Sequence, residues 1–334
     1  MSEAARTELT RRHLLAGSAA IAVAPLVASV PAFAAAPPVG KQAPGFYRYK
    51  VGSIEVTVVT DGANTFKFAD THLLNKTRDD LNNALVAAHY PKDVMTTPYN
   101  PIVVNTGSKL AVFDTGTSEA AYERSKGQIG QFQTNLKSAG IDRNAIDFVV
   151  ISHFHGDHIN GLLTPDKKLA YPNAEILVPA VEWKYFMDDG EMSRAPKGRM
   201  ETVFKGVRDV FDPIGRKVTT YEAGKEILPG VTSIATPGHT PGHMSYVIAS
   251  GSSKVFVQAD VTHVPFVFAR NPGWHAFYDQ DGAMAETTRR KVYDMLVAEK
   301  MPVQGFHYPF PSLAYVEKTA TGYQEIPVAW NPVI

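Results

Sequence analysis

The sequence predicts a single α/β domain, and three features carry that reading. Runs rich in Val, Ile and Thr recur between turn residues, as in "SIEVTVVTDG" and "KLAVFDTG", and read as strands. Two longer stretches, "SEAAYERSKGQIGQFQTNLKSAG" and "AMAETTRRKVYDMLVAEK", read as helices. The apolar run "AIDFVVIS" ends directly on "HFHGDH". Open α/β layers place their ligands just beyond the C-terminal ends of such strands.

In chain order, "AAPPVGKQAPG" (residues 35–45) is Pro-, Ala- and Gly-rich and reads as a flexible lead-in, so the domain runs over residues 46–334. "YRYKVGSIEVTVVTDG" breaks at Gly52 and "PIVVNTGSKLAVFDTG" turns at Thr106-Gly107-Ser108, so both read as hairpins. The helix from a Ser118 cap to Gly140 carries an expected interruption near Gly127 to Gly130. Further strands are expected at Glu175 to Val178, Val218 to Tyr221, Val231 to Ala235, Met244 to Ile248 and Val255 to Gln258. The C-terminal helix then precedes one final strand and the loop "VQGFHYPFPS".

Composition narrows the function. The 334 residues are 44% hydrophobic, enough for a large core, and the formal net charge is zero, which gives no attraction for nucleic acid or an anionic membrane. Cysteine is absent, so disulfides, thiolate nucleophiles and cysteine-held metals are excluded, and any metal must sit on nitrogen and oxygen. Residues 1–34 pair Arg11 with Arg12, continue through a small-residue apolar stretch and end on Ala32-Phe33-Ala34, which reads as a cleaved twin-arginine export signal. Gly17, Pro25 and Pro31 interrupt that stretch and argue against a stable membrane anchor. The expected location is the periplasm or the medium.

In "SHFHGDH", His153 and His155 are two apart and point the same way in extended chain, so they can share one ion. Asp157 and His158 follow Gly156, where the chain can turn, and address a second point. Imidazole and carboxylate suit a borderline divalent ion such as zinc, which turns water into a nucleophile near neutral pH.

The motif resembles the HxHxDH signature of the metallo-β-lactamase fold superfamily, a four-layer αββα sandwich. "ATPGHTPGH" is similar to that superfamily's third motif, which implies His239 as a ligand and His243 as a supporting group. "VFVQADVTH" resembles the strand ending in a bridging carboxylate, here Asp260, with Ala259 where glycine is usual. "GFHYPFPS" resembles the final motif and implies His307. The resemblance thus implies one ion on His153, His155 and His239, another on Asp157, His158 and His307, and Asp260 between them. "APGFYRYKVGSIEVTVVTDG", "NTGSKLAVFDTG" and "HYPFPS" look like the methyl parathion hydrolase group, relatives of quorum-quenching lactonases. That group leaves a homodimer open.

The chemistry so implied is attack by a hydroxide bridging two divalent ions, zinc foremost, on a carbonyl or phosphoryl centre. Lactones, aryl esters and organophosphate triesters are the small-molecule substrates expected. Asp157 could also accept a proton from the water. His263 stands three residues after Asp260, where some lactonases carry a tyrosine; it could serve the leaving alkoxide or simply line the pocket. Alternatives are a β-lactamase-like or sulfatase-like hydrolase, and a non-catalytic metal-dependent ligand binder. His72, His89 and His275 read as ordinary surface or satisfied histidines, and His13 belongs to the signal. Phe66, Phe68, Trp183, Tyr185, Phe186 and the aromatics after Asp260 are candidate pocket walls, while Arg194 and Arg270 read as surface ion pairs.

Overall fold

The structure is a computed structural model that describes residue 40 and residues 42–334; the expected export signal lies outside the described residues. Ala43–Ile334 forms one compact unit. Its first half holds β1 (Phe46–Val51), β2 (Ile54–Val59), β3 (Gly62–Lys67), β4 (Val94–Tyr99), β5 (Ile102–Asn105), β6 (Leu110–Phe113), β7 (Phe148–Val150), β8 (Glu175–Pro179) and β9 (Thr219–Tyr221). The second holds β10 (Glu226–Leu228), β11 (Val231–Ala235), β12 (Met244–Ser250), β13 (Ser253–Ala259), β14 (Val303–Gly305), β15 (Leu313–Lys318) and β16 (Tyr323–Pro327).

Two seven-stranded sheets result, ordered β1-β2-β5-β6-β7-β8-β9 and β10 through β16 in sequence, with β3 and β4 as a separate ribbon. They face each other across a core of Val56, Val58, Val104, Phe113, Tyr246 and Ile248. Outside the first sheet, helix Arg199–Phe211 buries Phe204, Val207 and Phe211, and helix Phe132–Ser138 buries Phe132 and Leu136. Outside the second, helix Gly282–Glu299 buries Val292, Tyr293 and Leu296. Burying the apolar faces of both sheets and of both helical layers gives the four-layer αββα sandwich.

The β1–β2 and β5–β6 hairpins form as expected. The helix expected from Ser118 to Gly140 is interrupted where expected, near Gly127 to Gly130, and is two short helices, Ala120–Arg124 and Phe132–Ser138. Gly127 and Gly130 take φ of 82° and 81° between them, and a Cβ on Gly130 would sit 2.6 Å from the Tyr122 nitrogen, so only glycine closes that turn. Ser118 does not cap: its φ is 84°, and Glu119 occupies the N-cap position. The strand expected to be last is β14, and the β15–β16 hairpin follows it. Among the described residues no helix is long and apolar enough to cross a membrane.

Candidate active site

Four loops, each leaving the C-terminal end of a strand, deliver the predicted residues to one place. The loop after β7 brings His153, His155, Asp157 and His158; those after β11, β13 and β14 bring His239, Asp260 and His307. β11, β13 and β14 run the same way, so their ends share one edge of the second sheet. Ala259 takes φ of 47°, the left-handed turn a glycine adopts freely, so the bend before Asp260 is kept at a steric cost of about 1–2 kcal/mol. His243 holds that bend from beneath: the Asp260 backbone N–H donates to its Nε2 at 3.0 Å. Burial lowers the His243 imidazole to about 3, so it stays a neutral acceptor.

Where the outer ring nitrogens point decides what the inner ones present. His158 Nδ1 lies 2.8 Å from Asp114 Oδ2, His239 Nδ1 2.8 Å from Asp279 Oδ1, and His307 Nδ1 2.8 Å from the Pro98 carbonyl. Each acceptor fixes the proton on Nδ1 and turns an Nε2 lone pair inward. Ser152 Oγ donates to Asp114 Oδ2 at 2.7 Å, so it accepts from His153 Nδ1, 3.0 Å away, with the same result. His155 turns Nδ1 inward instead, and its Nε2 lies 3.2 Å from the Arg199 Nη2 donor.

The inner nitrogens of His153, His155 and His239 form a triangle with sides of 3.2, 2.7 and 3.2 Å. One hydrogen bond satisfies one side of such a triangle, whereas a divalent ion about 2 Å from each nitrogen satisfies all three. Beside it, Asp157 Oδ2 lies 3.7 Å from His158 Nε2 and 3.5 Å from His307 Nε2. Asp260 joins the two groups: Oδ1 is 3.3 Å from His158 Nε2, and Oδ2 is 3.1 Å from His307 Nε2 and 3.3 Å from His239 Nε2. Among the described residues His158 Nε2 and Asp260 Oδ1 are buried without a hydrogen-bond partner, which suits atoms that bind a metal ion.

The field of the site favours cations. Burial opposes charge on His158 and His239, but Asp260 and Asp114 hold the first well above the usual imidazole range, and Asp260 and Asp279 hold the second up at about 9. Asp260 stays ionised against its burial because His307, His158 and His263 surround it. His263 Nε2 is 3.2 Å from Asp260 Oδ2, its ring stacks on His307, and burial lowers it to about 4.

A cavity of about 290 Å³ opens on this cluster, walled by Phe66, His72, Arg199, Val203, Phe277 and Tyr278. Several expected wall residues are elsewhere. Phe186 is core, Trp183 and Tyr185 pack against that core beneath the first sheet, and Phe68, Phe266 and Phe268 fill a separate apolar cluster. His89 is exposed and His275 pairs with Glu286 at 3.0 Å, as expected, but His72 is buried in the cavity wall. Arg194 pairs with Glu191, and Arg270 lies 4.0 Å from Glu325.

Sequence reasoning missed the supporting groups Asp114, Asp279, Glu182, Arg289 and Arg199. Only Asp114 carried a signal, as the polar residue closing the apolar strand of "LAVFDTG". Glu182 joins two loops of the histidine cluster, accepting from the Phe154 N–H at 3.0 Å and the Gly242 N–H at 2.8 Å.

Comparison with known proteins agrees with this geometry. The chain is 24% identical over 216 residues to an N-acyl homoserine lactonase of a Bacillus species, covering 62% of this chain and 76% of the relative. It is 27% identical over 184 residues to the N-acyl homoserine lactonase of Bacillus thuringiensis, covering 52% and 64%. Among solved structures, AidC, a dizinc quorum-quenching lactonase, superposes with a TM-score of 0.79 at 26% identity, covering 86% of this chain and 98% of AidC. The hydrolase AbOPH superposes with the same TM-score of 0.79 at 24% identity, covering 87% and 100%, and bears on the fold alone. The Metallo-beta-lactamase superfamily pattern matches residues 95–305, and with the sandwich and its edge-on cluster of ligand-type residues the chain belongs to that superfamily.

Proposed function

We propose that the chain is a dinuclear metal-dependent hydrolase that opens lactones, the N-acyl homoserine class foremost, and that aryl esters and organophosphate triesters present the same kind of electrophile to it. One observation carries this reading: outer partners fix the protons of His153, His158, His239 and His307 so that their inner lone pairs converge on Asp260 and on each other. The likeness to lactonases supports the substrate class.

In this reading His153, His155 and His239 would hold one ion, Asp157, His158 and His307 would hold the other, and Asp260 would serve both. Two divalent ions, zinc by the nitrogen-and-oxygen donor set, supply Lewis acidity and a water acidic enough to react near neutral pH. The residues do the rest. Asp157, whose side chain is 24% exposed, faces the cavity and is placed to take up a proton there. His263, neutral because it is buried, donates Nε2–H to Asp260 and helps hold that carboxylate between the two groups. Phe66, Val203 and Phe277 give an acyl chain an apolar wall and exclude water from the reacting carbonyl. Export by the twin-arginine pathway, from residues 1–34, belongs to the same reading.

The test is hydrolysis of a panel of N-acyl homoserine lactones, aryl esters and paraoxon-type triesters by the purified zinc-loaded protein. Lactone opening is expected. Absence of turnover on the whole panel overturns the reading.

A further inference from the structure

His72 is a polar residue with no visible reason to be where it is. It ends a single helical turn, Asp70–His72, is 4% exposed, and lines the cavity beside the ligand cluster. Its neighbours are aromatic: ring centroids lie 6.0 Å away for Phe66, 5.6 Å for Phe68, 5.2 Å for Phe277 and 5.8 Å for Tyr278. Nε2 is buried with no hydrogen-bond partner among the described residues. The segment is held in place by its backbone, since the Phe277 N–H donates to the His72 carbonyl at 3.0 Å and Leu73 bridges Ala276. The fold therefore does not need the imidazole as a strut.

An unpaired buried polar group is a net cost to the fold, and a phenyl ring would fill the same aromatic cage without that cost. Burial lowers His72 to about 4, so near neutral pH it is an uncharged ring with one donor and one acceptor. Phe277, 41% exposed, lies between His72 and Arg199, whose guanidinium sits 5.6 Å from that ring and donates to the Tyr278 carbonyl at 3.1 Å. The wall thus offers donors from Arg199 and a neutral donor–acceptor from His72, set in apolar surroundings.

We propose that His72 is a specificity-determining residue that hydrogen-bonds an uncharged amide on the substrate, so that the cavity selects lactones bearing an acylamino group over plain alkyl lactones. A secondary amide matches the wall because it carries one N–H and one C=O between apolar parts. A carboxylate there would use the neutral imidazole only as a donor and leave its acceptor nitrogen unmatched. The inference rests on the lactonase reading above and adds to it the group that the pocket reads.

The experiment compares zinc-loaded wild type with His72→Phe, His72→Leu and His72→Gln on N-hexanoyl-homoserine lactone and γ-decalactone. In His72→Phe, kcat/KM for the amide-bearing lactone should fall about tenfold through KM, as for one lost hydrogen bond, while γ-decalactone changes less than about twofold. The melting temperature should hold or rise, and His72→Gln, which keeps a donor and an acceptor, should restore most of the selectivity. Equal losses on both lactones, or none on either, overturn the inference; His72→Leu replaces His72→Phe if the larger ring does not fold. Calorimetric binding of the ring-opened products, N-hexanoyl-homoserine and 4-hydroxydecanoate, reads the same selectivity without turnover. An amide preference in binding that vanishes in His72→Phe, in a protein that opens neither lactone, sinks the lactonase reading and keeps this one.

Discussion

His239 Nδ1 lies 2.8 Å from one oxygen of Asp279, and the other oxygen of that carboxylate faces Arg289 Nη2 at 3.4 Å. Arg289 is fully buried and also donates to the carbonyls of Val261 at 3.0 Å and Pro272 at 2.7 Å. Despite its own burial, Asp279 is held down to about 2, first by the His239 hydrogen bond. The arginine thus fixes the carboxylate, and the carboxylate fixes the tautomer of His239. Asp279→Asn keeps the shape but loses the charge, and should weaken metal retention ten- to a hundredfold in a chelator competition. Asp279→Ala strands Arg289 and should cost roughly 3 kcal/mol in denaturant unfolding. Unchanged metal affinity in both variants would show that the orientation of His239 is set elsewhere.

Among the described residues Asp260 is the one carboxylate within reach of both imidazole groups, since its two oxygens face His158, His307, His239 and His263 at 3.1 to 3.3 Å. Replacing it with alanine leaves the imidazoles facing one another with no anion between them. Asp260→Ala should lower the metal content of the purified protein below two ions per chain and reduce lactone hydrolysis by about a thousandfold or more. Elemental analysis and initial rates check this together. Full turnover by the variant would end the dinuclear reading.

Because the inner nitrogens meet only one another and the carboxylates of Asp157 and Asp260, the ions should stabilise the fold as well as the reaction. A ligand present at a thousand times its dissociation constant adds about 4 kcal/mol. Dialysis against a chelator should therefore lower the melting temperature by several degrees, with zinc restoring it. A thermal scan that does not respond to chelator or to zinc contradicts a built metal site.

What the sequence shows and hides follows from distance along the chain. His153, His155, Asp157 and His158 fall within six residues, so their chemistry is visible as a spacing, and Asp260 and His307 each end a readable apolar strand. Asp279 acts on a histidine 40 residues away, and Glu182 spans loops 28 and 60 residues distant, so nothing local marks either one. His72 sits in "DTHLLNK", where its surroundings look polar, and only the tertiary fold closes four aromatic rings around it. The β15–β16 hairpin carries no strict alternation in "LAYVEKTATGYQEIP", and the proline-rich "HYPFPS" before it reads as a terminal loop.

Glu182 makes the site sensitive to pH through stability. It lies in the first turn of helix Ala180–Met187, and the Gly242 backbone packs so closely that a Cβ there would stand 2.2 Å from the Glu182 nitrogen. Burial raises its carboxyl from 4.5 to about 7, although the N–H groups of Phe154 and Gly242 favour the ionised form. Between those two values the folded chain holds a proton that the unfolded chain has released. Stability from this group is therefore fully present below pH 4.5, falls as pH rises through the window, and levels off above 7, by about 3 kcal/mol in all. Glu182→Gln cannot titrate, so the difference in unfolding free energy, wild type minus variant, should slope downward over that window. The histidines titrate in both chains and cancel in the difference. Denaturant unfolding of both proteins at pH 5, 6, 7 and 8 measures it, and parallel curves would show that Glu182 stays ionised throughout.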